Sequence, residues 1–203
     1  MKKNLRRVLS GLTATALLLL PTNVPPLFSQ MNSIVMAASS EEVYGDYTYT
    51  VNTDSDGEYV TISGYSGSDK IIVIPSKIKG LPVKIIGRYV FQKSKITSVK
   101  IPEGVISIGY EAFMDCSLLE SVTLPDSLLT LGEDCFKNCS SLQKIVIPEN
   151  VNKILSAVFS GCNSMKSVEI KSGIALISEN MFNGCKSLTD VTIPVSYTHL
   201  RAH

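Results

Sequence analysis

Residues 113–125 read FMDCSLLESVTLP, 136–148 read FKNCSSLQKIVIP, 159–171 read FSGCNSMKSVEIK and 182–194 read FNGCKSLTDVTIP. The four starting positions are evenly spaced, so one frame returns on a fixed beat. Each stretch carries Phe, then Cys three positions later, an apolar residue six later and apolar residues nine and eleven later. A period of about 23 residues marks a solenoid, because one coil cannot bury its own apolar face and must stack on its neighbours. A degraded copy, FQKSKITSVKIP from Phe91, is one position shorter and has Ser94 in place of Cys.

Upstream of the frame, apolar residues also stand eight and five positions before each Phe: Val83 and Ile86, Val105 and Ile108, Leu128 and Leu131, Val151 and Ile154, Ile174 and Ile177. In Val122-Thr123-Leu124 apolar and polar side chains alternate, which predicts a short strand with its aliphatic residues inward. Stacked edge to edge, such strands make a parallel sheet with a rise of roughly 4.8 Å per coil. The proline that follows has no N–H to offer and ends the pairing. The segment from Gly132 to Cys139 is expected to turn the chain through a helical or 3₁₀ stretch. Two ladders then run up the core: Phe91, Phe113, Phe136, Phe159 and Phe182, and Cys116, Cys139, Cys162 and Cys185.

This frame resembles the BspA-type leucine-rich repeats, over about Tyr44 to Pro194. The strand half of the general leucine-rich pattern is kept at Leu119, Val122 and Leu124, but Pro125 follows and no Asn ladder is present. Lys171 departs from the proline position, and Leu155 and Ser178 stand where Gly87, Gly109 and Gly132 sit in other copies. The resemblance implies a right-handed leucine-rich-repeat solenoid over 76–194, with about five coils and the parallel sheet on one face. It also implies a bacterial surface protein that adheres to host or microbial surfaces.

Both ends read differently. Lys2, Lys3, Arg6 and Arg7 precede an apolar run from Val8 to Leu20, which is the pattern of a secretory signal peptide over 1–38. The run is too short for a membrane span, so the mature chain is expected to have none and to be secreted, associated with the cell surface in the full-length protein. The tail 195–203, VSYTHLRAH, breaks the repeat in mid-coil and reads as a sequence artefact. It would leave an uncapped C-terminal edge open to self-association.

Residues 43–75 precede the repeats and are expected to form a β-hairpin that caps the N-terminal edge, with Tyr47, Tyr49 and Val51 facing Tyr59, Thr61 and Ser63. Asn52, Asp54, Asp56 and Gly57 match the opening of a calcium loop, but the twelfth position is Ser63 rather than Glu and strands flank it, so an Asp-Gly hairpin turn is the better reading.

Without leader and tail the chain has no His, and 14 Lys and Arg stand against 18 Asp and Glu, a net charge of about −4. An acidic solenoid is a poor match for nucleic acid, which is met by basic patches. Phosphate-binding, nucleophile-elbow and zinc-protease motifs are missing, so no catalytic, cofactor or metal residues are assigned and the chain is not read as an enzyme. The periodic cysteines read as a buried ladder of small apolar side chains. Disulfides are the alternative that an oxidising compartment permits, though parallel stacked side chains seldom reach the required dihedral.

The remaining surface is the solvent side of the strands: Lys100, Thr123, Val146, Glu169 and Thr192 in one column, Ser98, Ser121, Lys144, Ser167 and Asp190 in the other. These ten residues are the candidate contacts for a protein or glycan ligand. The alternative to adhesion is a structural spacer or targeting module of a larger secreted protein.

Overall fold

A computed structural model of the chain describes residues 40–171, 178 and 180–193. The leader at 1–38, the tail at 195–203 and the pair Ile174 and Ile177 lie outside the described residues. In chain order the strands are β1 (Glu42–Tyr44), β2 (Tyr47–Asp54), β3 (Gly57–Tyr65), β4 (Ile71–Val73), β5 (Lys77–Ile78), β6 (Leu81–Ile86) and β7 (Ser98–Lys100). They continue with β8 (Ser107–Ile108), β9 (Ser121–Thr123), β10 (Thr130–Leu131), β11 (Lys144–Ile147), β12 (Lys153–Ile154), β13 (Ser167–Ile170) and β14 (Asp190–Thr192).

Each of the four coils from Phe91 to Phe159 therefore contributes two described strands, and both become parallel ladders. The V-x-I strands make the sheets β4-β7-β9 and β11-β13-β14. The apolar pairs ahead of Phe91, Phe113, Phe136 and Phe159 make the second, β6-β8-β10-β12. Its register brings Ile62, Ile86, Ile108, Leu131 and Ile154 into one buried column, so the aliphatic side chain of each coil is covered by the next.

The expected sheet on one face is thus a sheet on two, and the connecting corner is not helical. Among the described residues no helix occurs. The reason lies two residues either side of each Phe, where the backbone turns left-handed: Tyr89 and Lys93, Glu111 and Asp115, Asp134 and Asn138, Ala157 and Gly161, Asn180 and Gly184. A left-handed residue interrupts a helical turn. It also turns N–H groups toward the next coil: Asp134 N–H donates to the Ser156 carbonyl at 3.1 Å, Phe136 to Val158 at 3.0 Å and Asn138 to Ser160 at 2.7 Å. The corner exchanges helical bonds for bonds between coils.

The cap is a three-stranded antiparallel meander, β1-β2-β3, rather than a hairpin, and β3 joins the second sheet by parallel pairing with β6. Its register also differs from the sequence expectation: Val51 faces Val60 and Tyr49 faces Ile62. Pairing of Asp54 with Gly57 closes a two-residue turn, and a turn of that length fixes the register of everything behind it. The turn carboxylates hold a lysine: Lys84 Nζ lies 2.8 Å from Asp54 and 3.1 Å from Asp56. That contact, with the turn backbone, keeps the Asp54 carboxyl below its ordinary range.

Phe91, Phe113, Phe136 and Phe159 are buried, and the half-buried Phe182 continues their stack. Successive rings are nearly parallel, with interplanar angles of 9°, 9°, 8° and 7° and centroid spacings of 4.9, 5.1, 5.7 and 5.9 Å. The spacing widens where glycine is lost. A Cβ on Gly109 would lie 2.8 Å from the Gly87 carbonyl carbon, and one on Gly132 would lie 2.6 Å from that of Gly109. The two close spacings join coils that enter the corner through these glycines, and the two wider ones lead to coils that enter through Leu155 and Ser178. A side chain at that position holds adjacent backbones apart.

Candidate functional site

The strand-face columns are built by parallel register. Ile71, Ser98 and Ser121 stand side by side, as do Val73, Lys100 and Thr123. Beyond them Lys144, Ser167 and Asp190 align, as do Val146, Glu169 and Thr192. Ser98 and Ser167 are half-buried and the other eight candidate residues are exposed. Ser121 donates to the Ser98 hydroxyl at 2.8 Å, and Lys171, in the departed proline position, lies 3.9 Å from Glu169.

The two columns are not continuous. β9 and β11 lie in different sheets and form no backbone ladder, so the face is split between Thr123 and Val146. In a parallel ladder every second residue directs its N–H and C=O to the same neighbour, and no such ladder joins Val122 to Val146. A cleft of about 260 Å³ opens there, with Val122, Leu124, Val146 and Pro148 supplying apolar walls and Asp126 and Lys171 opposite charges. A smaller hollow of about 190 Å³ follows the rungs from Lys144 to Thr192. This face can offer hydroxyls, two signs of charge and a valine-lined slot to an extended partner. Among the described residues it holds no paired nucleophile and base, since the Ser121 hydroxyl has only Ser98 as its side-chain partner.

Sequence reasoning missed the first rung. Ile71 and Val73 continue both columns and are 71% and 66% exposed. The signal is present in IIVIP at 71–75, which repeats the strand-proline pattern. It reads as part of the cap because no Phe-x-x-Cys precedes it.

The cysteine column faces the core. Cys116, Cys139 and Cys162 are buried, Cys185 is half-buried, and all are free thiols, as is the buried Cys135. Each ladder thiol donates to the carbonyl of the Phe in the preceding coil: Cys116 to Phe91 at 2.9 Å, Cys139 to Phe113 and Cys162 to Phe136 at 3.2 Å, Cys185 to Phe159 at 3.1 Å. Burial pushes these thiols up, Cys162 to about 12 and Cys139 and Cys135 well above the ordinary thiol value. They are structural donors with little thiolate character. Among the described residues no group of His, Cys, Asp and Glu is arranged to hold a metal ion.

Residues 84–203 match the family model of the BspA type leucine rich repeat region in six copies. Among solved structures, a leucine rich cell surface protein from Faecalibacterium prausnitzii is 33% identical at a TM-score of 0.69, over 78% of this chain and 44% of that one. A leucine-rich repeat protein from Bacteroides capillosus is 31% identical at a TM-score of 0.58, over 64% of this chain and 98% of its own. The leucine rich repeat protein of T. pallidum is 26% identical at a TM-score of 0.58, over 75% and 82%. No curated protein matches the chain.

Proposed function

The chain belongs to the BspA-type leucine-rich repeat family, and on that premise we propose that it is a bacterial cell-surface protein whose repeat array binds proteins of host or microbial surfaces. The observation that carries this reading is the pair of exposed columns on the strand face, interrupted by the cleft between β9 and β11. Paired rungs display side chains at a fixed pitch along one surface, as an extended partner requires. The similarity to a leucine rich cell surface protein supports the location. Binding is preferred to catalysis because the face presents Ser, Thr, Lys, Val, Glu and Asp without a base set to activate a nucleophile.

The test couples the full chain to beads and counts their attachment to epithelial monolayers and to bacterial cells. Lys100→Glu with Lys144→Glu reverses one charge in each column and is expected to reduce attachment clearly. Attachment equal to that of the unaltered chain would remove the strand face as the contact surface. Failure of the unaltered chain to attach to either would favour the spacer role.

A further inference from the structure

At the corner after β6, one coil departs from the pattern of the others. The position two residues before the ladder Phe is left-handed in every coil and is filled by Glu111, Asp134, Ala157 and Asn180 further along. In the first coil it is Tyr89, with φ at +63° and the residue 47% exposed. The fold does not call for an aromatic there, since four smaller or polar side chains serve the same corner. A bulky residue in a strained, exposed conformation points to a use other than packing.

Its surroundings form a defined cluster. Tyr89 meets Tyr110 edge to face at 5.4 Å between centroids. The Arg88 guanidinium lies 5.0 Å from the Tyr110 ring and 5.6 Å from the Tyr89 ring. Among the described residues Arg88 has no carboxylate in ion-pair contact, so its donors are held in place by the rings. Gln92 Nε2 donates to Glu111 at 2.6 Å, which fixes a planar amide and a carboxylate beside the rings. Exposed aromatic surface is thus flanked by rigid planar groups of both hydrogen-bonding senses.

We propose that Arg88, Tyr89 and Tyr110, flanked by Gln92 and Glu111, form a carbohydrate-binding platform for a neutral pyranose-based glycan. The apolar C–H face of a pyranose lies on the exposed Tyr89 ring, while adjacent hydroxyls accept from Arg88 and donate to Glu111. An acidic glycan fits less well, because the Glu111 carboxylate, which hydrogen-bonds Gln92 beside the rings, would repel it. Two rings cover far less than the roughly 800 Å² per partner of a stable protein interface, but suit one or two sugar units. The platform sits at the turn after β6 and not on the strand face, so its test stands apart from the adhesion reading.

The full chain is titrated by calorimetry with maltohexaose, cellohexaose, β-1,3-linked glucohexaose and a heparin hexasaccharide. Tyrosine fluorescence gives a second readout, since the chain has no Trp. At least one neutral hexaose is expected to bind with a Kd on the order of 1 mM or tighter. Tyr89→Gly removes the ring while suiting the left-handed backbone. It is expected to weaken binding at least about tenfold with a thermal midpoint unchanged or raised, and Arg88→Gln is expected to weaken binding too. The proposal is overturned if no neutral hexaose binds, if only the heparin fragment binds, if both variants bind like the unaltered chain, or if Tyr89→Gly lowers the midpoint and so marks the ring as structural.

Discussion

The Sγ of Cys139 lies 3.2 Å from the carbonyl oxygen of Phe113, 26 residues earlier in the chain. The same carbonyl also accepts the Cys116 N–H at 3.2 Å, within its own coil. One oxygen thus closes a turn and ties that turn to the next coil. The relation recurs at every ladder cysteine, which gives the column a chemical reason beyond its small apolar volume: a larger aliphatic residue could fill the space but could not donate.

Cys139→Ala is therefore expected to cost about 1–2 kcal/mol in urea denaturation, combining a lost hydrogen bond with a small cavity. Cys139→Ser keeps a donor and is expected to lose less. Ser94, two coils before Cys139 in this column, already sits 3.3 Å from Cys116 Sγ. Equal stability of the alanine variant and the unaltered chain would show that the thiol bond contributes nothing.

Thiol chemistry supplies a second measurement. With their pKa values raised by burial, the inner thiols are expected to resist a maleimide at pH 8, and the half-buried Cys185 to react first. In denaturant all five should titrate, and fewer would mean that disulfides form in the protein as prepared. Raised values also make stability fall in alkali. For Cys162 the contribution is whole below the ordinary value of 9.0 and is lost as pH climbs toward about 12, because the unfolded chain releases its proton first. Unchanged stability between pH 8 and pH 11 would count against deep burial of these groups.

Phe136→Ala removes a ring stacked at 5.1 Å on Phe113 and at 5.7 Å on Phe159. A cost of roughly 3–5 kcal/mol is expected, since rings above and below prevent the cavity from closing. A loss under about 1 kcal/mol would show that the ladder is not the core.

Gly109→Ala places a methyl group 2.8 Å from the backbone of Gly87. The adjoining coils must separate, at an expected cost of about 1–3 kcal/mol. Ala at Ser178, where the position already carries a Cβ, is expected to cost less, and the comparison of thermal midpoints tests whether close approach is what requires glycine.

Much of this molecule was legible before any coordinate. The return of Phe113, Phe136 and Phe159 at one fixed interval marked the coils, because burial selects the same apolar type wherever a position faces inward. The solvent side of the strands was legible for the complementary reason, and eight of the ten residues expected there are exposed while Ser98 and Ser167 are half-buried. Tyr65, whose ring meets Phe91 at 5.1 Å with a tilt of 43°, was not legible, since it stands outside the period of the ladder it adjoins. The second sheet was half legible: its apolar pairs were visible, but a two-residue strand such as Thr130–Leu131 is too short to show alternation.

Which side chains point inward, and how often the chain returns, follow from residue order alone, since period and polarity are properties of single residues in succession. The split between β9 and β11, the thiol partners, and the gathering of Arg88 and Tyr89 with Tyr110 from the next coil arise only once the coils are stacked. These depend on how far one backbone stands from the next. Ring spacings that differ from 5.1 to 5.7 Å between successive coils are of this kind, and a linear pattern of residue types does not encode distances that fine.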